Sequence, residues 1–278
     1  MGEFETAYRA VLRKWPSVEV ADLAGPSGIT RVLSSGPPGG TELVLLPGGG
    51  ATATAWFANA PALSEAARVH AVDLPGMAGG TAVPVRDAAG LFGWLDSVLD
   101  AVAGGPVDLA GHSYGGWVAL TYALHAPARV RRLALIDPTQ CFTGFRLGYL
   151  VHALPVLVRP GRRTAAALRH WETGGRALDP AWTALADAAA EAPKTGKLVT
   201  RPKVSRERLR GLDLPTLVLL AGSGKAQDGA KAAAGARSAL PDVRVEVLPT
   251  ATHHTLPLDP AADVNRALLA FFGERDGR

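Results

Sequence analysis

Cysteine is nearly absent. Cys141 stands alone among 278 residues, which excludes an intramolecular disulfide and a multi-cysteine metal site and fits a reducing compartment. Long apolar runs are missing too. No stretch approaches the roughly 18 residues needed to cross a bilayer, and the opening "MGEFETAYRAVLRKW" carries charges where a signal peptide has its apolar segment. The expectation is a cytoplasmic protein with no membrane partner. Also lacking are a recognised nucleic-acid module and any basic run interleaved with aromatics, so no nucleic-acid partner is expected. The net charge of +4 is nonetheless uneven: residues 138–213 hold 13 Lys/Arg against 6 Asp/Glu, +7, which leaves −3 for the remainder. That surplus reads as a solvated helical face. An acidic partner such as an acyl carrier protein is the less favoured reading.

Apolar residues, by contrast, make up 47% of the chain, enough for a large core. They recur in short runs at 18–23, 30–35, 42–47, 68–73, 107–111, 132–137, 216–222 and 243–249. From the third onward most are nearly continuous, as in strands buried on both faces of a parallel sheet. Helical stretches such as "DAAGLFGWLDSVLDAVAGG" and "DPAADVNRALLAFFG" lie between them, so strand and helix alternate and the fold class is α/β. The opening helix and first two runs are less regular and fit an antiparallel edge. Residues 138–213 break the rhythm with helical segments and with Pro155, Pro160, Pro180, Pro193 and Pro202. That is too long for a simple connection, so the expected organisation is a core of 1–137 and 214–278 with a helical lid inserted at 138–213.

One short stretch concentrates the chemistry. "DLAGHSYGGWVAL", residues 108–120, fits G-x-S-x-G at a strand-to-helix junction. A turn that sharp strains the serine backbone and brings the flanking positions against neighbouring chain, so glycine is required there. Ser113 is then lifted into a cleft at a helix N-terminus, where developing negative charge is favoured. A serine hydroxyl needs a base, and "PTATHHTLPLDP" places His253 and His254 in a loop before the final helix. His253 is the first candidate and His254 the alternative. The loop "LLPGGGATATAW", 45–56, offers backbone donors: Gly49 and Tyr114 are the expected oxyanion-hole pair, with Gly48 and Gly50 letting substrate approach.

With glycine loop, "AVDLPG", "GHSYGG" and "ATHHTLP" in this order, the chain resembles the α/β-hydrolase superfamily over nearly its whole length, and within it the lid-bearing, esterase- and lactonase-like serine hydrolases of actinobacterial type. The resemblance implies an α/β-hydrolase fold: a mostly parallel eight-stranded sheet flanked by helices. It implies a Ser-His-Asp enzyme that cleaves a carboxylic ester, lactone or thioester of an apolar small molecule without cofactor or metal. Two positions depart from the pattern: Pro47 stands where a histidine often precedes the glycine loop, and Lys225 occupies the usual place of the acid. Asp228 is the first candidate acid and Asp137 the alternative. Candidate pocket residues are His112, Phe142, Phe145, Tyr149, Trp171 and Trp182.

Two other functions fit parts of the sequence. A non-hydrolytic enzyme of secondary metabolism on the same fold would cyclise, eliminate or transfer acyl groups. A dinucleotide-dependent oxidoreductase would use Gly48-x-Gly50-x-x-Ala53 with Asp73 as the ribose-binding acid, but that reading leaves Ser113 and His253 without a task.

Overall fold

The computed structural model describes residues 2–25, 28–78, 85–192, 198–199 and 203–274. Its strands are β1 (Glu19–Gly25), β2 (Gly28–Ser35), β3 (Thr41–Leu46), β4 (Ala67–Val72), β5 (Val107–His112), β6 (Val130–Ile136), β7 (Thr216–Ala221) and β8 (Val243–Leu248). They form one sheet in the order β1-β2-β4-β3-β5-β6-β7-β8. β2 runs antiparallel to both β1 and β4, and the other pairs are parallel. All six residues of β5 and of β7 are buried, which is why Leu217–Ala221 of β7 read as an unbroken apolar run instead of an alternating one.

The chain leaves β3 towards β4 on one side and returns to β5 on the other. That reversal opens a crevice at the carboxyl ends of β3 and β5, the usual ligand position in an open α/β sheet. Both glycine-rich segments sit there.

Helices cover both faces. α1 (Glu3–Leu12) and the single turn α2 (Ala60–Leu63) precede α3 (Ala88–Val102) and α4 (Tyr114–Ala123). Between β6 and β7 come α5 (Leu147–Val158), α6 (Arg162–Thr173), α7 (Pro180–Glu191) and α8 (Arg206–Arg210), with no strand among the described residues; α9 (Gly229–Ala239) and α10 (Ala261–Phe272) follow. Pro193 and Pro202 lie outside the described residues.

One apolar core joins Trp94, Trp117 and Leu220 with Ala232 and Ala236 of α9. The other packs Trp15, Trp56 and Leu45 with Leu268 and Phe271 of α10. A third cluster seats Tyr8 and Val11 of α1 against Leu185 and Ala188 of α7, so the opening helix braces the insertion as well as flanking the sheet edge. Cys141 and Phe142 at the start of the insertion, and Val204, Leu209 and Leu212 at its end, belong to the first core. α5, α6 and α7 are the part that stands over the crevice.

Candidate active site

Strand β5 ends at His112, and α4 begins at Tyr114. The one residue between them, Ser113, sits at φ 53°, ψ −115°, a left-handed conformation that costs a β-carbon-bearing residue about 1–3 kcal/mol. Neighbouring backbone holds it there: Ser113 N donates to the Ile136 carbonyl at 2.9 Å, and the Ser113 carbonyl accepts from Trp117 N at 3.1 Å. The glycines are explained by what surrounds them. A Cβ on Gly111 would stand 2.2 Å from the Gly115 oxygen, and one on Gly115 would stand 2.4 Å from the Pro47 oxygen. Neither contact can be relieved, because both neighbours are backbone.

The same approach brings the loop after β3 against the turn. A Cβ on Gly48 would lie 3.4 Å from Ser113 Cβ, and one on Gly49 would lie 3.4 Å from Tyr114 Cβ. Gly50 has φ +84°, in the region that favours glycine. As the first residue of α4, Tyr114 has no intrahelical acceptor for its N–H.

Ser113 Oγ lies 2.9 Å from His253 Nε2, and His253 Nδ1 lies 2.6 Å from Asp137 Oδ2. Asp137 follows β6, is 1% exposed and has φ 41°. Its other oxygen accepts from Ala221 N at 3.2 Å and from Gln227 Nε2 at 2.9 Å. Burial opposes charge on both members of the pair. The mutual hydrogen bond and attraction outweigh it, holding Asp137 below the ordinary carboxylate range and His253 above the ordinary imidazole value. Burial, then the neighbouring His253 charge, pushes His112 down to about 3 and His254 to about 4. Both stay neutral. His112 Nε2 is 3.2 Å from the His253 carbonyl oxygen and donates to it, while His254 Nε2 meets the Tyr149 hydroxyl at 3.1 Å instead of Ser113. Cys141, wholly buried, has its thiol pushed up by that burial and offers no rival nucleophile.

The acid beside the imidazole is therefore Asp137 and not Asp228. Asp228 is the N-cap of α9: its Oδ1 accepts from Lys231 N at 3.1 Å, and its Oδ2 faces Lys231 Nζ at 3.8 Å and Arg146 Nη2 at 4.0 Å. A carboxylate committed to an N-cap faces the helix, not the crevice. Lys225, at the position where an acid is usual, donates its backbone N–H to Glu172 at 2.9 Å and its ammonium to the Trp171 carbonyl.

Glu172, which no motif in the sequence marks, ties the insertion to the histidine loop. Fully buried on α6, its Oε1 accepts from Lys225 N and from His253 N at 3.0 Å, and its Oε2 from His254 N at 3.0 Å. Burial raises its pKa, but the donated hydrogen bonds outweigh that and hold it below 4.5. Since the folded value is the lower one, its stabilisation is complete above 4.5 and is lost as pH falls through the depressed value. In the sequence Glu172 stands four residues after Leu168, a spacing that puts both on one helix face, and in the structure both are buried. Glu172→Gln turns an amide N–H₂ towards a backbone donor. The expected cost is about 1–3 kcal/mol, read as a lower melting temperature at neutral pH that converges with wild type in acid.

A cavity of about 460 Å³ opens above Ser113, a size suited to a small-molecule ligand. The sequence candidates Gly48, Gly49, Gly50, His112, Phe145, Tyr149 and Trp182 line it, and α7 adds Leu185. Two candidates fall elsewhere. Phe142 is buried beneath α9, its carbonyl oxygen 3.0 Å from where a Gly235 Cβ would be. Trp171 stands behind Tyr149, stacked on His152 at 3.8 Å with Lys225 Nζ 4.9 Å from its ring centroid. The dinucleotide alternative also fails. Ala53 opens a 3-10 turn ending at Trp56 in place of a long helix. Asp73 is fully buried, 2.5 Å from Ala53 N, and burial pushes it up to about 7; it faces no ribose site. Among the described residues no group of His, Cys, Asp and Glu is arranged to hold a metal ion.

The chain is 30% identical to carboxylesterase YbfK of Bacillus subtilis over 174 residues, 62% of this chain and 58% of that relative's length. It is 27% identical to the uncharacterized carboxylesterase nap of the same organism over 90% of this chain and 85% of the relative. The crystal structure of YbfK (CesB) superposes with a TM-score of 0.90 at 25% identity, covering 98% of both chains. That of the B. subtilis naproxen esterase gives 0.86 at 26% identity and 97% of both. The model of the alpha/beta hydrolase family matches residues 43–267, which takes in the glycine loop, Ser113, Asp137 and His253. The chain belongs to the alpha/beta hydrolase family.

Proposed function

We propose that this protein is a serine esterase that cleaves carboxylic esters of apolar small molecules through Ser113, His253 and Asp137. The observation that carries this reading is the continuous chain of hydrogen-bond distances, 2.9 Å from Ser113 Oγ to His253 Nε2 and 2.6 Å from His253 Nδ1 to Asp137. Ser113 Oγ attacks the ester carbonyl carbon as His253 Nε2 takes its proton, and Asp137 stabilises the imidazolium. The carbonyl oxygen becomes an oxyanion facing the Gly49 and Tyr114 N–H groups at the positive end of α4. On collapse, the bond to the alkoxy oxygen breaks and His253 returns the proton to the leaving alcohol. Water, deprotonated by the same imidazole, then attacks the acyl carbon, and as the bond to Ser113 Oγ breaks His253 returns the proton to Oγ and the acid is freed. Similarity to the carboxylesterases YbfK and nap supports an ester as substrate, and the aromatic and aliphatic lining supports an apolar acyl or alcohol group.

A fluorophosphonate probe is expected to label the wild-type protein once, at Ser113, with loss of p-nitrophenyl ester hydrolysis in proportion to labelling. A folded protein that neither reacts with the probe nor turns over any short or medium-chain ester would overturn the reading in favour of non-hydrolytic chemistry on this fold. A second reading keeps the chemistry but delivers the acyl group on an acyl carrier protein. It rests on the basic insertion and on partial similarity, 37% over 106 residues, to a pimeloyl-[acyl-carrier protein] methyl ester esterase of Nitrosomonas europaea. A salt-sensitive preference for carrier-bound over free ester in kcat/KM would support it.

A further inference from the structure

Helix α5 has its apolar stripe on the wrong side for a helix that exists only to fold. Leu147, Leu150, Val151, Leu154, Leu157 and Val158 recur at i, i+3, i+4, i+7, i+10 and i+11, within an arc of about 120° on a 3.6-residue helix. Such a stripe ordinarily faces a core. Here the six side chains are 47–77% exposed, and they are six of the ten large exposed hydrophobics among the described residues. α5 itself contributes no buried residue. Scattered exposed leucines need no account, but a contiguous stripe does.

Along the chain the charge beside the stripe has one sign, and other segments bring two acids near its ends, Glu191, which accepts from Arg162 N at 2.7 Å, and Asp228. Residues 138–171 contain five arginines and no Asp or Glu. Arg146 and Arg159 are the residues flanking α5, and Arg163 lies in the first turn of α6. All three are exposed. Among the described residues Asp228, at 4.0 Å, is the one ion-pair partner of Arg146, and Arg159 and Arg163 make no ion pair. Arg162 and Arg169 are committed within the protein, to Glu3 and Asp187. A helix of 12 residues is about 18 Å long, too short to span a bilayer and suited to lying in its surface.

We propose that α5 docks the protein on an anionic lipid surface, with the stripe in the headgroup–acyl boundary and Arg146, Arg159 and Arg163 against lipid phosphates. Charge decides for this occupant over a second copy of the chain: two stripes face to face would bring both sets of arginines together, whereas an anionic surface pairs with them. The position of α5 gives the docking a use. Tyr149, Leu150, Ala153 and Leu157 line the cavity above Ser113, so the helix that meets the lipid also walls the pocket. A lipophilic ester can pass from bilayer to pocket along one apolar surface.

The test is flotation of the full chain with phosphatidylcholine vesicles, with and without about one quarter phosphatidylglycerol. Wild type is expected to float with the anionic vesicles about tenfold more than with the neutral ones, and to be released by salt. Val151 and Leu154 belong to the stripe but do not line the cavity, so V151D/L154D is expected to reduce flotation about tenfold with fluorophosphonate labelling and soluble-ester turnover unchanged. Three results would each overturn the proposal: wild type that stays with the aqueous phase at low salt, a double variant that floats as well as wild type, or a wild-type dimer that the double variant converts to monomer. Capture by an acidic acyl carrier protein without any vesicle binding would overturn it equally. Flotation is read without turnover. Its failure therefore leaves the esterase reading standing, and a protein that floats but never labels at Ser113 removes that reading alone.

Discussion

Replacing Ser113 by Ala is expected to lower ester kcat/KM by about three to six orders of magnitude while leaving the melting temperature within a few degrees of wild type. Both halves follow from the contacts of one oxygen. Ser113 Oγ lies 2.9 Å from His253 Nε2 and makes no capping bond to α4, so its removal takes away the nucleophile without unpairing a helix terminus. The strained backbone is held by the Ile136 carbonyl and Trp117 N–H, and alanine keeps the Cβ that makes φ 53° costly. What survives is the background that binding and the oxyanion donors provide. Ser113→Gly separates strain from chemistry: it should be as inactive as the alanine variant and more stable than it, because glycine accepts this φ at little cost. Turnover by the alanine variant near the wild-type rate, measured on protein shown by thermal denaturation to be folded, would remove Ser113 from the mechanism.

Much of the scaffold is legible from local chemistry. The eight apolar runs coincide with the eight strands to within two or three residues; in the centre of the sheet, as in β7, burial on both faces leaves little room for polar alternation, whereas β1 at the edge is exposed along most of its length. The glycine pattern around Ser113 identifies the turn because backbone-to-backbone clashes allow no other residue. The insertion is equally visible, as a stretch without strand-like runs. Long-range capture is where the sequence misleads. Asp137 reads as the start of a turn in "DPT", and only the alignment of β6 with β7 reveals that Ala221 N and Gln227 converge on it. Asp228 carries a local signal of another role, since Asp-Gly-Ala-Lys before an alanine-rich helix is an N-cap pattern. Glu172 and its three backbone donors are separated by 53 to 82 positions, a distance at which no spacing rule operates. The histidines were ambiguous for another reason: neighbours in sequence point different ways from one loop, and only the fold shows His253 turned to Ser113 and His254 to Tyr149.

Asp137→Asn is expected to reduce kcat by about three to four orders of magnitude, whereas Asp228→Asn is expected to change it less than about twofold, because asparagine caps a helix about as well as aspartate. The arrangement around Asp137 dictates how the amide would sit. Asp137 Oδ1 already receives Ala221 N–H and the Gln227 amide. In the variant the single remaining oxygen stays with those two donors, and the new N–H₂ turns towards His253 Nδ1. Nδ1 must then accept, so the neutral ring carries its proton on Nε2, facing Ser113, and has no lone pair there to take the serine proton. Loss of the carboxylate charge compounds this, since burial disfavours the imidazolium and the attraction of Asp137 is what outweighs it. A pH profile distinguishes this account from mere loss of folding. In wild type the base must be neutral, so kcat/KM rises with pH through a His253 value above the ordinary 6.5. Without Asp137 the folded-state value drops, and any residual activity should show its acid limb at lower pH than wild type. If instead Asp228→Asn abolishes turnover and Asp137→Asn mainly lowers the melting temperature with the acid limb unmoved, the acid is Asp228 and the loop bearing it must rearrange when substrate binds.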